Sequence, residues 1–323
     1  MTRRAFVLGP GQIGSAVADN LEAAGWAVTV GAQSVGKWAT RDFVILDREI
    51  TDELAGAVAS GFDAVVDTIA FNDRHAAQWS TLTGHFAKLA VISSTSVYAD
   101  DRGRTLDEAR QNGSPQFGVP ISEGNLRVAP GSQTYSTCKV ALEDAIAALD
   151  FPTAIVRPGA VYGVGSRSPR EWWFLQKVLA GHETIPIAWN GSSRFHPVAA
   201  ENLAEIVRVA IEAQGSQILN AADPTCPTVL ELGRDILEAM GSIAQLRPFE
   251  GPPRGFEGYT PWSIPYPMIV DTGAAERLGY RPVTNFANVV PGLCRDLVDR
   301  AALLGWDVAF PGLSVYPKGF FLS

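Results

Sequence analysis

Short unbroken apolar runs alternate with stretches of helical periodicity through the first half of the chain. "AFVLG" (5–9) reads as a buried strand. After a glycine turn, Ile13, Ala16, Val17, Leu21 and Ala24 recur on one helix face until Gly25 ends it. "WAVTVG" (26–31), "DFVIL" (42–46), "DAVVDTIA" (63–70) and "LAVISS" (89–94) are rich in Val and Ile and continuous, not alternating. Strands apolar on both faces belong in a parallel sheet with helices on either side, so the pattern predicts a doubly wound, Rossmann-type α/β domain.

The pattern then changes. Asp100 to Gln133 carries Pro, Gly and charge with little periodicity and reads as loop. A helix starting near Tyr135 presents Val140, Leu142, Ala145, Ile146 and Leu149, and "TAIVRPGAVYG" (153–163) reads as one more buried strand running into a turn. Helices are predicted near 170–180, 200–213, 228–240 and 286–303, around "GPPRGFEGYTPWSIPYP" (251–267), which is dense in Pro, Gly and aromatics. These features suggest a nucleotide-binding domain over 1–163 and a smaller C-terminal α/β substrate-binding domain over 164–323, with some segments of the latter returning to the first core.

Composition narrows the function. The chain has 323 residues, 46% hydrophobic and 19% charged, with a formal charge of -8. This acidity argues against a nucleic-acid partner, and a small molecule is expected instead. The first residues lack the pattern of a signal peptide and no run suits a membrane span, which points to a cytoplasmic protein. Cys138, Cys226 and Cys294 are far apart, and His75, His85, His182 and His196 lack ligand spacing, so no disulfide and no metal site is expected. The sequons at Asn112 and Asn190 then read as chance matches.

"GPGQIG" (9–14) fits Gly-x-Gly-x-x-Gly and opens the first helix directly after the first strand. Gly9 permits a tight turn, Gly11 leaves room for a pyrophosphate, and Gly14 allows close helix packing. The helix N-terminus behind Gln12 and Ile13 offers unsatisfied N–H groups to phosphate. The second strand ends in "VTVGAQS" without the acid that selects NAD, so NADP is permitted, with Gln33, Ser34, Lys37 or Arg41 as possible contacts of a 2′-phosphate. Asp47, ending the third strand, is the candidate for the adenine amino group.

"YSTCK" (135–139) admits two chemistries: Ser136 and Lys139 have an acyl-transfer spacing, Tyr135 and Lys139 that of a carbonyl reductase. Neither a Ser-Asp-Asn nor a Lys-Thr-Gly partner motif occurs, which removes the serine reading. Residues four apart share a helix face, and "VISSTSVY" (91–98) brings Ser93 and Ser94 to the C-terminal edge of the sheet. Only about one free tyrosine in a thousand is ionised at neutral pH. A nearby cation lowers such a pKa by roughly 1 to 3 units, so Lys139 side by side with an oxidised nicotinamide is expected to ease proton exchange at Tyr135 while Ser94 holds the same substrate oxygen.

Together with "RPGAVYG" (157–163), "HPVAAENLAEIV" (196–207) and "DTGAAERLGYRP" (271–282), these motifs make the chain resemble an extended short-chain dehydrogenase/reductase of the NAD-dependent epimerase/dehydratase group over nearly its whole length. The resemblance implies Tyr135 as catalytic acid/base, Lys139 as its partner and nicotinamide-ribose ligand, Ser94 as the catalytic hydroxyl, Ser93 beside the cofactor, and Pro158 in a turn near nicotinamide and substrate. It also implies a homodimer. Leu8 stands where relatives often have the first glycine, Thr95 and Ser96 replace the Asp-Glu pair of dehydratases, and Ala160 replaces an asparagine that touches substrate phosphate in nucleotide-sugar enzymes. Arg194 lies near the relatives' substrate-phosphate arginine, displaced by one residue.

On the substrate side, Trp172 and Trp173 are candidates for an apolar cleft wall, core packing being the alternative. The first functional expectation is an oxidoreductase using dissociable NAD or NADP on a moderately apolar alcohol or ketone. The second is a nucleotide-sugar or polyol epimerase that retains NAD. A non-catalytic dinucleotide-sensing or RNA-associated protein is a third reading, against which the intact Tyr-Lys pair and the acidic charge both speak.

Overall fold

The apolar runs of the first half become neighbouring strands because each carries side chains that must be covered on both faces. The computed structural model describes residues 2–34, 40–317 and 319–321. In chain order the first half forms β1 (Arg4–Leu8), α1 (Gln12–Ala23), β2 (Ala27–Ala32), β3 (Asp42–Ile45), α2 (Thr51–Val58), β4 (Phe62–Asp67), α3 (Asp73–Ser80), β5 (Phe86–Ile92), α4 (Ala109–Asn112) and α5 (Tyr135–Ala147). There follow β6 (Thr153–Pro158), β7 (Ala160–Tyr162), α6 (Trp172–Leu179), β8 (Thr184–Ile187), β9 (Pro197–Ala199), α7 (Ala200–Glu212), β10 (Gln217–Ala221), α8 (Val229–Ala239), β11 (Gln245–Pro248), α9 (Gly273–Arg277), α10 (Phe286–Leu304) and α11 (Trp306–Ala309).

Among the described residues the main sheet has seven strands in the order β10-β6-β5-β4-β1-β2-β3, all parallel. One face is covered by α1 and α7, whose Val17, Leu21, Leu203 and Val207 are fully buried against it. The other is covered by α2, α3 and α5 through Leu54, Val58, Trp79, Leu142 and Ile146. The sequence reading did not single out α2 and α3. Both are eight-residue helices, too short for a periodicity of two turns to stand out.

One further expectation is corrected. The run 153–163 is not one strand: Gly159 breaks it, and β7 leaves the main sheet to pair with β9. The edge strand β10 comes from the second half of the chain, and α7, which leads into it, packs on α1. A second apolar cluster gathers α6, α8, α10 and the C-terminal segment, with Trp173, Phe174, Leu232, Leu293 and Phe310 at its centre. The clusters are joined at Asp223, which accepts from the Tyr162 hydroxyl (2.6 Å), the Ala199 N–H (2.8 Å) and Asn202 Nδ2 (2.7 Å). Among the described residues no helix is long and apolar enough to cross a membrane.

Below the C-terminal edge of the sheet lies a buried polar knot. Glu143 of α5 accepts from Arg157 Nε (2.9 Å) and Nη2 (2.7 Å), from the Ser93 hydroxyl (2.5 Å), and from Arg127 Nη1 (2.9 Å). Arg157 also donates to the Tyr98 oxygen (3.1 Å), and Tyr98 donates to Asn220 Oδ1 (2.5 Å). Glu143 and Arg157 are each 1% exposed, so neither charge is solvated if the other is removed. Glu143→Leu is therefore expected to cost about 3–5 kcal/mol, while Glu143→Leu/Arg157→Met recovers most of that loss. Urea denaturation midpoints of the two variants check this; a single variant as stable as wild type would show that the knot does not hold the sheet to α5.

Candidate active site

The loops that follow β1, β4, β5 and β6 meet at the C-terminal edge of the sheet, where an open α/β sheet binds ligands. The glycine turn has the form the motif requires. Gly9 has φ +87°, and a Cβ there would run into Ile69; a Cβ on Gly14 would strike the Gly9 carbonyl. A Cβ on Gly11 would meet nothing within 4 Å: that side of the turn is open. Thr68 closes the turn from below, its hydroxyl donating to the carbonyls of Leu8 (2.9 Å) and Gly9 (2.6 Å). No acid occupies the first turn of α1, so its positive end is uncompensated.

Thr68 is placed by Asp67, which is fully buried and accepts from Arg48 Nη2 (2.7 Å), Trp79 Nε1 (2.8 Å) and the Ile69 N–H (3.0 Å). A polar pair ending the apolar run "VVDTIA" was the available signal for both residues.

The start of α5 is fixed by a capping box in which the Thr134 oxygen accepts from the Thr137 N–H and the Thr137 hydroxyl oxygen accepts from the Thr134 N–H. Asp107 adds a carboxylate that accepts from the Ser136 N–H (2.8 Å). Nothing in the sequence marks Asp107, because it reaches the helix from 29 positions away through an irregular loop. This start presents Tyr135 and Lys139 to the same cleft, with Ser94, Ser93, Thr95 and Ser96 of the segment after β5. Ser96 Oγ is buried without a hydrogen-bond partner, while Ser93 is committed to Glu143.

Lys139 is 6% exposed, and its Nζ donates to the carbonyls of Ala70 (2.7 Å) and Ile92 (2.9 Å). Burial brings its pKa down to about 8, against the opposing charges of Asp67 and Glu143. The Nζ lies 5.7 Å from the centre of the Tyr135 ring, and Phe71 packs against that ring at 5.9 Å. The Tyr135 hydroxyl titrates above its ordinary value: burial raises it most, the Asp107 charge adds to the rise, and a hydrogen bond from Ser94 opposes it. The lowering expected from the sequence needs the charge of an oxidised nicotinamide beside that of Lys139.

The cleft has a volume of about 560 Å³. Gly9, Gly11, Gln12, Ile13 and Pro158 line it, together with Phe195, Arg167 and Arg170, which the sequence reading did not select. Gln12 Nε2 donates to the Gly163 carbonyl (3.0 Å) and ties the glycine turn to the segment after β7.

Several expected site residues lie elsewhere. Ala160 is 1% exposed in the second apolar cluster while its neighbours Gly159 and Val161 line the cleft, because successive residues of β7 face opposite ways. The same alternation gives Phe195 to the cleft and turns Arg194 away, to donate to the Cys226 carbonyl (2.8 Å). Trp172 and Trp173 are core residues, packed against Phe310 and Phe174. Arg41 is held in ion pairs with Asp19 and Glu22, and Lys37 lies outside the described residues. Gln33 and Ser34 are exposed at the end of β2, and Asp47 caps its own turn by accepting from the Glu49 N–H (2.9 Å); none of these three lines the cleft.

These residues fit a dinucleotide. The open side of Gly11 faces the uncompensated start of α1, and Lys139 and the hydroxyl-bearing segment stand further along the same cleft.

Solved structures share this fold. UDP-N-acetylglucosamine 4-epimerase from Bacillus cereus superposes with a TM-score of 0.70 at 16% identity, covering 91% of this chain and 96% of that one. The Bordetella bronchiseptica enzyme WbmH in complex with NAD+ gives 0.71 at 17% identity, covering 93% and 99%. A dTDP-glucose 4,6-dehydratase from Bacillus anthracis gives 0.67 at 13% identity, covering 93% and 98%. At such identities the likeness is one of fold. A search of curated proteins returns no significant match. The profile of the NAD dependent epimerase/dehydratase family matches residues 5–222, from the first strand through the last strand of the main sheet, and the chain belongs to that family.

Proposed function

We propose that the protein is an NAD(P)-dependent oxidoreductase of the extended short-chain type, moving hydride at a secondary alcohol or ketone carbon of a small molecule with Tyr135 as acid and base. The observation that carries this reading is the convergence of Tyr135, Ser94 and Lys139 in one cleft with the glycine turn. A bound nicotinamide supplies or accepts the hydride. Tyr135 Oη, protonated at neutral pH, donates to the substrate oxygen, and Ser94 Oγ holds that oxygen by a second hydrogen bond. Lys139 carries three donors and uses two on carbonyls, which leaves one for a ribose hydroxyl.

An epimerase that keeps its NAD is the second reading, supported by the family and by the epimerases among the solved structures of like fold. Absorbance near 340 nm and mass spectrometry of nucleotide released from the purified protein separate the two. Stoichiometric NAD surviving purification indicates the epimerase. An empty site that binds added NADH or NADPH reversibly indicates the reductase and identifies its preferred nucleotide.

Because the Tyr135 hydroxyl is held above its ordinary range, the proton-donating form dominates at neutral pH and the small base fraction grows as pH rises. Alcohol oxidation should therefore accelerate from pH 7 upward, while ketone reduction stays level until pH approaches that raised range. Tyr135→Phe should bind nucleotide as wild type does, flatten both pH profiles and lower turnover about 10²–10⁴-fold. Wild-type rates in that variant would remove Tyr135 from the mechanism.

A further inference from the structure

Between Thr68 and Phe71 the loop joining β4 to α3 touches the glycine turn, Lys139 and Tyr135. Thr68 holds the turn, Ile69 lines the cleft, the Ala70 carbonyl accepts from Lys139 Nζ (2.7 Å), and the Phe71 ring packs against that of Tyr135 at 5.9 Å. Ile69 and Phe71 are 45% and 38% exposed, so burial does not fix this loop and polar ties must.

Side chains supply those ties. The Ile69 N–H donates to Asp67 (3.0 Å), and the Phe71 N–H donates to Nδ1 of His75 (2.8 Å) in α3. A donor facing Nδ1 requires that nitrogen to be unprotonated, so neutral His75 carries its proton on Nε2, which meets Glu49 Oε1 (3.1 Å) in the loop between β3 and α2. The ring is 5% exposed and spans the two loops as a strut. Arg48 and Glu49 face it from the loop after β3 and Asp67 from the end of β4, while Arg74, beside it in α3, pairs with Glu49. Burial and the Arg48 charge hold the imidazole below its ordinary pKa, against the pull of Glu49 and Asp67, so the neutral form prevails at pH 7.

We propose that His75 is a proton-sensitive positioning residue of the cleft: neutral, it holds the loop from Thr68 to Phe71 against Tyr135 and Lys139, and protonated, it lets that loop go. Protonation keeps the Nε2–H on Glu49 but sets a second N–H against that of Phe71, so the contact that fails is the one that holds the loop. Because the folded protein resists the proton, the tie is complete above about pH 6.5 and is lost as pH falls through the lowered value. The positioning role rests on the reading of the cleft as a dinucleotide site; the tie itself does not.

Hydrogen exchange at the Phe71 amide, corrected for the intrinsic pH dependence of exchange, and calorimetric affinity for NAD+ and NADP+ test the proposal when both are followed from about pH 8 to about pH 5.5. In wild type, Phe71 protection and nucleotide affinity should hold down to about pH 6.5 and then fall about 5- to 10-fold. His75→Asn sets an uncharged amide oxygen where Nδ1 stands and should keep the high-pH values of both throughout. His75→Leu removes the acceptor and should show the lowered values at every pH. A role in packing alone would lower the thermal midpoints of the variants and leave the wild-type profile level. Phe71 protection that does not change with pH in wild type, or that persists in His75→Leu, overturns the proposal, and the wild-type series decides it if a variant does not fold. Loss of Phe71 protection without a change in nucleotide affinity overturns the positioning role. If neither nucleotide binds at any pH while Phe71 protection follows the expected course, the dinucleotide reading fails and the His75 tie stands.

Discussion

The buried carboxylate of Glu143 is the tie on which the active cleft depends. It lies one helical turn beyond Lys139, so each of its partners is connected to the helix that carries Tyr135. Through Ser93 it reaches the segment bearing Ser94, through Arg157 the strand leading to Pro158, and through Arg127 the long loop that supplies Asp107. A charge taken out of water must be fully hydrogen-bonded to be tolerated, and that requirement locks three loops to one helix. Reacting groups contributed by separate segments are thereby held in register without a ligand.

Polarity follows a plan the net charge conceals. The chain is acidic overall, yet the cleft is lined by the uncompensated start of α1, by Lys139 and by Arg167 and Arg170, which have no ion pair among the described residues. Low-dielectric walls concentrate such a field, so an acidic surface and an anion-binding cleft coexist in one molecule. The acids nearest the cleft are turned to other work. Asp67 and Glu143 neutralise buried arginines from below, and Asp107 caps a helix.

Where reading the residues misplaced a side chain, the cause was direction more than position. Ala160 and Arg194 lie in the right segments, but strand alternation gives the cleft their neighbours Gly159, Val161 and Phe195. Trp172 and Trp173 open α6 close to the cleft in sequence, yet the helix is buried on all sides there and both rings face core.

By itself the sequence determined the doubly wound sheet, the glycine turn and the Tyr-Lys helix. Those features are local: they follow from apolar runs, from glycines that a crowded turn demands, and from the four-residue spacing of a helix face. Only the tertiary structure decided which chain segments close the cleft. β10 and α7 come back to the sheet from the second half, Thr68 and Asp107 arrive through loops, and Arg170 becomes a cleft residue because Phe195 and Trp262, 25 and 92 positions later, fold around it. Contacts between residues so far apart are settled by which surfaces must be buried together, and no local pattern carries that information.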